Sequence, residues 1–588
     1  MRSGQVLFLG VAALLLGGAY RLAQIERTQG QGLRRKAARQ QTATWTIPAQ
    51  RGAILDCKGR TLAGTARRPS VFMDPTLIGD PRAAAASVAP ALGLEPAQLE
   101  RRIQENKHRA FVWVKRSLSD EELAAFNRVR REQKLRAFVV RYEPTRVYPY
   151  GRLAAQVLGF VGAEQTGLAG IEQAFNDVLR GRDGRGSSTV DARRRRVRSE
   201  ADAYIPPRDG DSVVLAIDAH VQQRAEYHLR NAFEEFKPQW ATAVVLDPQG
   251  GEVLAMVTLP DFDPAQPIPA GLTQAQREVT EEALRNRAIA DSYEPGSVFK
   301  PFIAAPALDA AITRIDEPYA VNGPTRQFGP RTIHDVHAYG TLTLHQVISR
   351  SSNIGMGLLG ARCGNERLYE FVRRFGFGGP TGIRLPGEHR GLLQDFSRWT
   401  KYSTQSIPIG QEIAVTPIQL VTAFSVFCND GILYRPRIVR GVITAAGEIR
   451  EDNSLPIRVR RVLAADVAGE FRERALVEVV RAGTGKRAQI ADYQVFGKTG
   501  TAQVARPRGG GYIPGAYVSS FVGGAPAEWP RVAVLVTLYR PSSGKYYGGT
   551  VAAPAAAAII ADTLAYMPDA LSAERSNLSS GGAQAHAR

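Results

Sequence analysis

Apolar runs stand near both ends of the segment from residue 208 to 566. "ATAVVLD" (241–247) and "EVLAMVT" (252–258) flank the turn "PQGG", and "SSFVGGAP" (519–526) and "RVAVLVTLY" (531–539) repeat the pattern close to the far end. Short runs rich in Val, Leu and Ala, bounded by turn residues, read as strands. "VVLAID" (213–218) reads as a further strand, residues 219–236 as a helix and "VAAPAAAAIIADTLAYM" (551–567) as a closing helix. The pattern predicts an antiparallel sheet flanked by helices, an α/β (α+β) domain built from both ends of its own sequence.

A chain of 588 residues exceeds one ordinary domain. "YIPPRDGDS" (204–212), with its Pro-Pro and Asp-Gly pairs, marks a boundary near residue 207. Five regions are expected: an N-terminal apolar segment 1–25, a linker 26–44, a mixed domain 45–207, the sheet domain 208–566, and a tail 567–588 too poor in apolar residues to pack. Within the mixed domain, "IPAQRGAILDCKGRTLA" (47–63) reads as two short strands around a turn at Lys58 and Gly59, and residues 80–135 carry helical spacing. The basic run Arg193 to Arg196 reads as a solvated face.

Residues 6–20, "VLFLGVAALLLGGAY", carry no charge, and Leu22, Ala23 and Ile25 extend the run past Arg21, whose side chain can snorkel. A retained membrane anchor is expected. Gly17 and Ala19 also fit a small-x-small cleavage site, which leaves a removed signal peptide open. Arg21, Arg27, Arg34, Arg35, Lys36 and Arg39 follow the run and only Arg2 precedes it, so the positive-inside rule alone would keep the bulk of the chain in the cytoplasm. Long domains are translocated despite such flanks, and a start further upstream would add a basic tail. Export is the expectation, because the chemistry of the motifs needs a substrate found only outside.

The net charge of +19 is spread along the chain with no nucleic-acid motif beside it, which fits a surface facing anionic envelope polymers and lipid headgroups; no nucleic-acid partner is expected. Three distant cysteines, Cys57, Cys363 and Cys428, exclude a disulfide framework and a C-x-x-C site. His334 and His337 in "HDVH" lack the four-residue spacing and intervening Glu of the helical zinc motif. Neither metal nor cofactor is expected.

In "RNRAIADSYEPGSVFKPF" (285–302), Pro295 and Gly296 precede a predicted helix that Ser297 opens, with Lys300 one turn on and on the same face. A serine hydroxyl becomes a nucleophile when a base takes its proton, and a lysine serves once burial or nearby positive charge makes it neutral. Four-residue patterns arise by chance, and "RPSSGKYYGG" holds a second S-x-x-K at Ser542 and Lys545, in a Gly-rich turn. The first copy is followed by Ser351-Ser352-Asn353 in "SRSSNIG" and by Lys498-Thr499-Gly500-Thr501 in "VFGKTGTAQV". A P-loop reading of "GKT" fails, because its first glycine would fall at Asp492, and "GTGK" (483–486) fails at Arg487. S-x-x-K, S-x-N and K-T-G in this order mark the penicillin-recognising serine enzymes.

From about residue 45 to 566 the chain resembles a class B penicillin-binding protein. "RGAILDCKGRTLA" resembles the opening of that family's pedestal (dimerisation-type) domain, with Cys57 where an arginine is usual, and "GLAGIEQAFNDVLRG" resembles its later Gly-Ile-Glu segment. "NRAIADSYEPGSVFKP", "SSNIG", "GQEIAVTPIQL" (410–420) and "GKTGTAQ" resemble the transpeptidase domain. "SSN" and "GKYYGGTVAAP" (544–554) look more like the division-specific branch than the elongation branch.

The resemblance implies a peptidoglycan D,D-transpeptidase. Ser297 attacks the D-Ala-D-Ala stem peptide, Lys300 takes its proton, and Ser351 relays a proton to the leaving amine. The backbone amides of Ser297 and Thr501 hold the oxyanion. Asn353 binds the peptide backbone, and a cationic Lys498, with Thr499 and Thr501 beside Gly500, attracts the substrate carboxylate. Gly410, Thr416 and Pro417 are read as structural. The implied partners are stem peptides, β-lactams, the inner membrane, a peptidoglycan glycosyltransferase and division proteins. A β-lactamase would carry E-x-x-L-N, absent here, and a β-lactam sensor would carry several membrane spans where one candidate is visible.

Overall fold

A computed structural model describes residues 2–162, 164–190, 196–197, 203–269, 271–506 and 510–567. The expected tail and most of the Arg193 to Arg196 run lie outside these residues. Compactness separates two units, Met1–Arg51 with Arg180–Gly210, and Gly52–Leu179 with Asp211–Arg588. In the first, one helix runs over Arg2–Gln41, and its stretch Leu7–Gln29, mean hydropathy 1.5, is long and apolar enough to cross a membrane. Strand Thr42–Ile47 continues it and pairs antiparallel with Gly184–Val190.

The second unit holds the predicted sheet. Its five antiparallel strands run in the order Glu252–Leu259, Trp240–Asp247, Val532–Tyr539, Tyr512–Ala525 and Phe496–Ala505, so strands from both ends of the sequence pair and the last forms an edge. Alternation along the strands splits the core in two. Ala243, Val245, Val534 and Val536 pack with helices Ala219–Phe236 and Ala553–Tyr566, whereas Val244, Leu246, Ala533 and Leu535 belong to a second core with helices Pro301–Asp309, Asn353–Arg374 and Pro417–Phe424. Both faces are covered, and this explains why the strands read as continuous apolar runs.

"VVLAID" does form a strand, Ser212–Leu215, but it joins a different sheet. It lies between Val439–Ile443 and Ile54–Leu55, with Val213 in parallel register with Ile54. Its partner comes from the hairpin Ile54–Leu55 and Thr61–Met73, which turns at Lys58 and Gly59 as predicted. Asp218 then caps helix Ala219–Phe236 and collects Arg60 Nη2 at 2.7 Å, the Tyr566 hydroxyl at 3.2 Å and Cys57 Sγ at 3.6 Å. Burial and this carboxylate push the Cys57 thiol up to about 12, so it acts as a packing group. The helical spacing of residues 80–135 resolves into Pro81–Ala91, Pro96–Glu105 and Asp120–Glu132, with a strand at Val112–Lys115. Glu172 of the Gly-Ile-Glu segment is buried against Arg146 Nε at 2.5 Å, a pair in which losing either partner strands a charge.

Candidate active site

Pro295 and Gly296 lead into one 3-10 turn, Gly296–Phe299, and the α-helix starts at Pro301 with Lys300 at its cap. The helix therefore begins one turn later than Ser297, where a proline without an N–H fits the first helical position. Ser297 is half-buried on this turn and Lys300 is fully buried beneath it. Two glycines let other segments press against the turn. Gly410, at φ +75°, accepts the Gly296 N–H at its carbonyl oxygen, and a Cβ there would lie 2.2 Å from Gly296 O. A Cβ on Gly500 would lie 2.8 Å from Val298 Cγ1 and 3.1 Å from Pro295 O, so the edge strand carrying Lys498 to Thr501 rests on the turn that holds Ser297.

The three motifs meet at one hydroxyl. Lys300 Nζ lies 3.1 Å from Ser351 Oγ, 2.5 Å from Ser351 O and 2.8 Å from Asn353 Oδ1. Lys498 Nζ lies 3.0 Å from the same Ser351 Oγ and 2.9 Å from Thr499 O. Ser351 holds a left-handed backbone, φ +60°, a strained geometry that aims its side chain between the two lysines. No hydrogen bond joins Ser297 Oγ to Lys300 Nζ among the described residues.

Both amines are wholly buried. Burial brings Lys300 down to about 7, with the Asp335 carboxylate pulling the other way, and burial plus the neighbouring Lys300 hold Lys498 well below the ordinary lysine value. Two ammonium groups around one hydroxyl repel, so the pair sheds a proton far more readily than two separate lysines. The cationic Lys498 expected from the sequence requires an anion beside it.

Several supports carry no motif. Asp335 is buried and accepts from Ser352 Oγ at 2.5 Å, Asn353 N at 2.5 Å and Ile354 N at 3.1 Å, fixing the turn that presents Ser351 and Asn353. Its signal was present: on strand Arg331–Thr343, Ile333 and Asp335 occupy the inward phase, a charge where an apolar residue is usual. The flanking His334 and His337 are exposed, and the His334 carbonyl accepts from Asn353 Nδ2 at 2.9 Å. The "GTGK" segment rejected as a phosphate loop places the Thr484 hydroxyl 2.6 Å from that of Thr499. Gly548, in "YYGGT", donates its N–H to Thr501 Oγ1 at 3.0 Å.

Replacing Asp335 by Ala leaves two amides and a hydroxyl without an acceptor. We expect a loss of about 3 kcal/mol, read as a lower urea midpoint, and acylation slowed about 100-fold; Asp335→Asn, which keeps one acceptor oxygen, is expected to lose less of both.

Comparisons with known proteins agree with this geometry. Residues 241–561 match the penicillin binding protein transpeptidase domain and residues 46–215 the penicillin-binding protein dimerisation domain. The chain is 32% identical over 567 residues to stage V sporulation protein D of Bacillus subtilis, covering 95% of this chain and 84% of that protein. It is 30% identical over 538 residues to the peptidoglycan D,D-transpeptidase FtsI of Escherichia coli, covering 89% and 85%. Penicillin binding protein 3 of Mycobacterium tuberculosis, solved with aztreonam, superposes with a TM-score of 0.67 at 28% identity, covering 89% of this chain and 97% of that one.

Proposed function

Since this chain belongs to the class B penicillin-binding proteins and is a serine-type D-Ala-D-Ala transpeptidase of peptidoglycan, we propose that its acyl-enzyme forms on Ser297 and serves septal wall synthesis. The observation that carries the site assignment is the convergence of Lys300 and Lys498 on Ser351 Oγ, 3.1 and 3.0 Å away, beside the turn that holds Ser297.

A neutral lysine amine has two N–H groups and one lone pair. In Lys300 the two N–H groups go to Ser351 O and Asn353 Oδ1, and the lone pair is left for a hydroxyl proton. Ser297 Oγ attacks the carbonyl of the penultimate D-Ala as its proton passes to Lys300, and the amides of Ser297 and Thr501 hold the oxyanion. Ser351 Oγ, between the two lysines, relays a proton to the departing D-Ala amine, leaving an ester on Ser297. The amine of a second stem peptide then attacks that ester, forming the crosslink and freeing the serine.

The terminal carboxylate of the donor supplies the counter-charge that keeps Lys498 protonated. Thr501 Oγ1 already accepts from Gly548, so its own proton is free for that carboxylate. Phe496–Ala505 is an edge strand whose outer side offers the peptide a backbone partner. A β-lactam enters as a cyclic amide of the same class and stays on Ser297 as an ester.

The septal reading rests on "SSN" and on the "YYGGT" segment held against Thr501. Depletion is expected to give filaments or chains of undivided cells; swollen cells with normal septa would favour the elongation branch. We read the catalytic domain as lying outside the inner membrane, with Leu7–Gln29, long and apolar enough to cross it, as the anchor. External protease is expected to digest it in spheroplasts, and protection there with digestion in inverted vesicles would overturn the orientation.

A further inference from the structure

We propose that a cleft at the far end of helix Asn353–Arg374 binds a phosphate-bearing anion. The segment breaks at Gly364, φ +73°, into two helices; Asn353 lies in its first turn and Arg373, which lines the cleft, in its last. The cleft has a volume of about 180 Å³ and lies between the loop that follows the helix, helix Pro417–Phe424 and the strand pair Ile432–Tyr434 and Arg458–Arg461.

Three guanidinium groups line it, those of Arg373, Arg435 and Arg460. Among the described residues none of the three has an acidic partner, although neighbouring arginines do: Arg374 meets Asp309, Arg384 meets Glu451 and Arg437 meets Glu252. The carboxylate bound to this loop, Glu388, is taken up by the N–H and hydroxyl of Thr381 and the N–H of Gly382.

A second observation points to a ligand. Thr422, 6% exposed, lines the same cleft, and its hydroxyl has no hydrogen-bond partner. A helical threonine ordinarily donates to the carbonyl four residues back; this one does not, and its buried hydroxyl is left without a partner beside the cleft.

Arginine carries donors and no acceptors in a planar fork suited to phosphate oxygens. Three positive groups exceed what one carboxylate balances, and the cleft has room for a phosphate or diphosphate group. Two sources share this chemistry, a phospholipid headgroup and a free or polymer-borne phosphate.

The test uses the full chain in non-ionic detergent micelles, titrated with inorganic pyrophosphate by calorimetry. Arg435→Gln with Arg460→Gln removes two exposed guanidinium groups, and Thr422→Val removes the hydroxyl while keeping the shape. Wild type is expected to bind saturably at one site, with affinity weakened about tenfold or more in the double variant and measurably in Thr422→Val, while all three proteins acylate with penicillin at the same rate. Phosphatidylglycerol in the micelles, against phosphatidylcholine, identifies the source. If it competes with pyrophosphate in wild type alone, the site takes a lipid headgroup; if it does not compete, the site takes free or polymer-borne phosphate. Absence of saturable pyrophosphate binding, or undiminished affinity in the double variant, overturns the proposal.

Discussion

Ser297→Ala is expected to abolish covalent labelling by a penicillin, and Ser542→Ala to leave it unchanged. The two serines share the S-x-x-K spacing and differ in everything around it. Ser297 sits on a turn pinned by Gly410 and Gly500, above a buried lysine that reaches Ser351 and Asn353 of the second motif. Ser542 donates its hydroxyl to Lys237 O at 2.9 Å and its N–H to Phe236 O at 3.0 Å, so it closes the end of helix Ala219–Phe236. Lys545 is exposed beside Glu235 at 4.0 Å, with none of the burial that surrounds Lys300. Removing the Ser297 oxygen removes the atom proposed to form the ester, while the fold, judged by circular dichroism and membrane fractionation, is expected to stay intact. Undiminished labelling of folded Ser297→Ala would refute the nucleophile.

Lys300→Ala is expected to slow acylation by about 100-fold to 10,000-fold, the usual worth of a general base. The wild-type enzyme should also show the base in its pH profile. Burial holds Lys300 at about 7, and only the neutral amine has a lone pair, so acylation rises as pH climbs through that value and then levels. Lys300→Arg, which stays charged, is expected to be as slow as the alanine variant and to lose the rise. The assignment fails if the wild-type rate stays flat over about one unit either side of that pH, or if Lys300→Arg labels normally.

Local chemistry was legible in the sequence wherever neighbours along the chain are also neighbours in space. Strand and helix patterns at both ends of the sheet domain, the turn at Lys58 and Gly59, and the placing of Ser297 one turn before a lysine are of this kind. Periodicity identifies a strand without naming its partner, so "VVLAID" was readable as a strand while its place beside Ile54 was not. Contacts that complete the site join distant segments: Gly500 with Val298, Thr484 with Thr499, Gly548 with Thr501. Spacing carries no information about these. Asp335 falls between the two cases. Its inward phase on an alternating strand marks a buried charge, but its partners, Ser352 to Ile354, lie beyond a helix start that only the folded chain brings near.

We propose that the three motifs together make Ser297 an acyl-enzyme former whose ester outlasts its formation. The most direct measurement incubates the full-length protein with a labelled penicillin, follows the intact mass over time and locates the label by peptide mass spectrometry. A single adduct on the peptide containing Ser297, persisting long after free penicillin is removed, is the predicted result. An adduct on Ser542 or elsewhere, or one that forms on Ser297 and is hydrolysed within seconds, would contradict it.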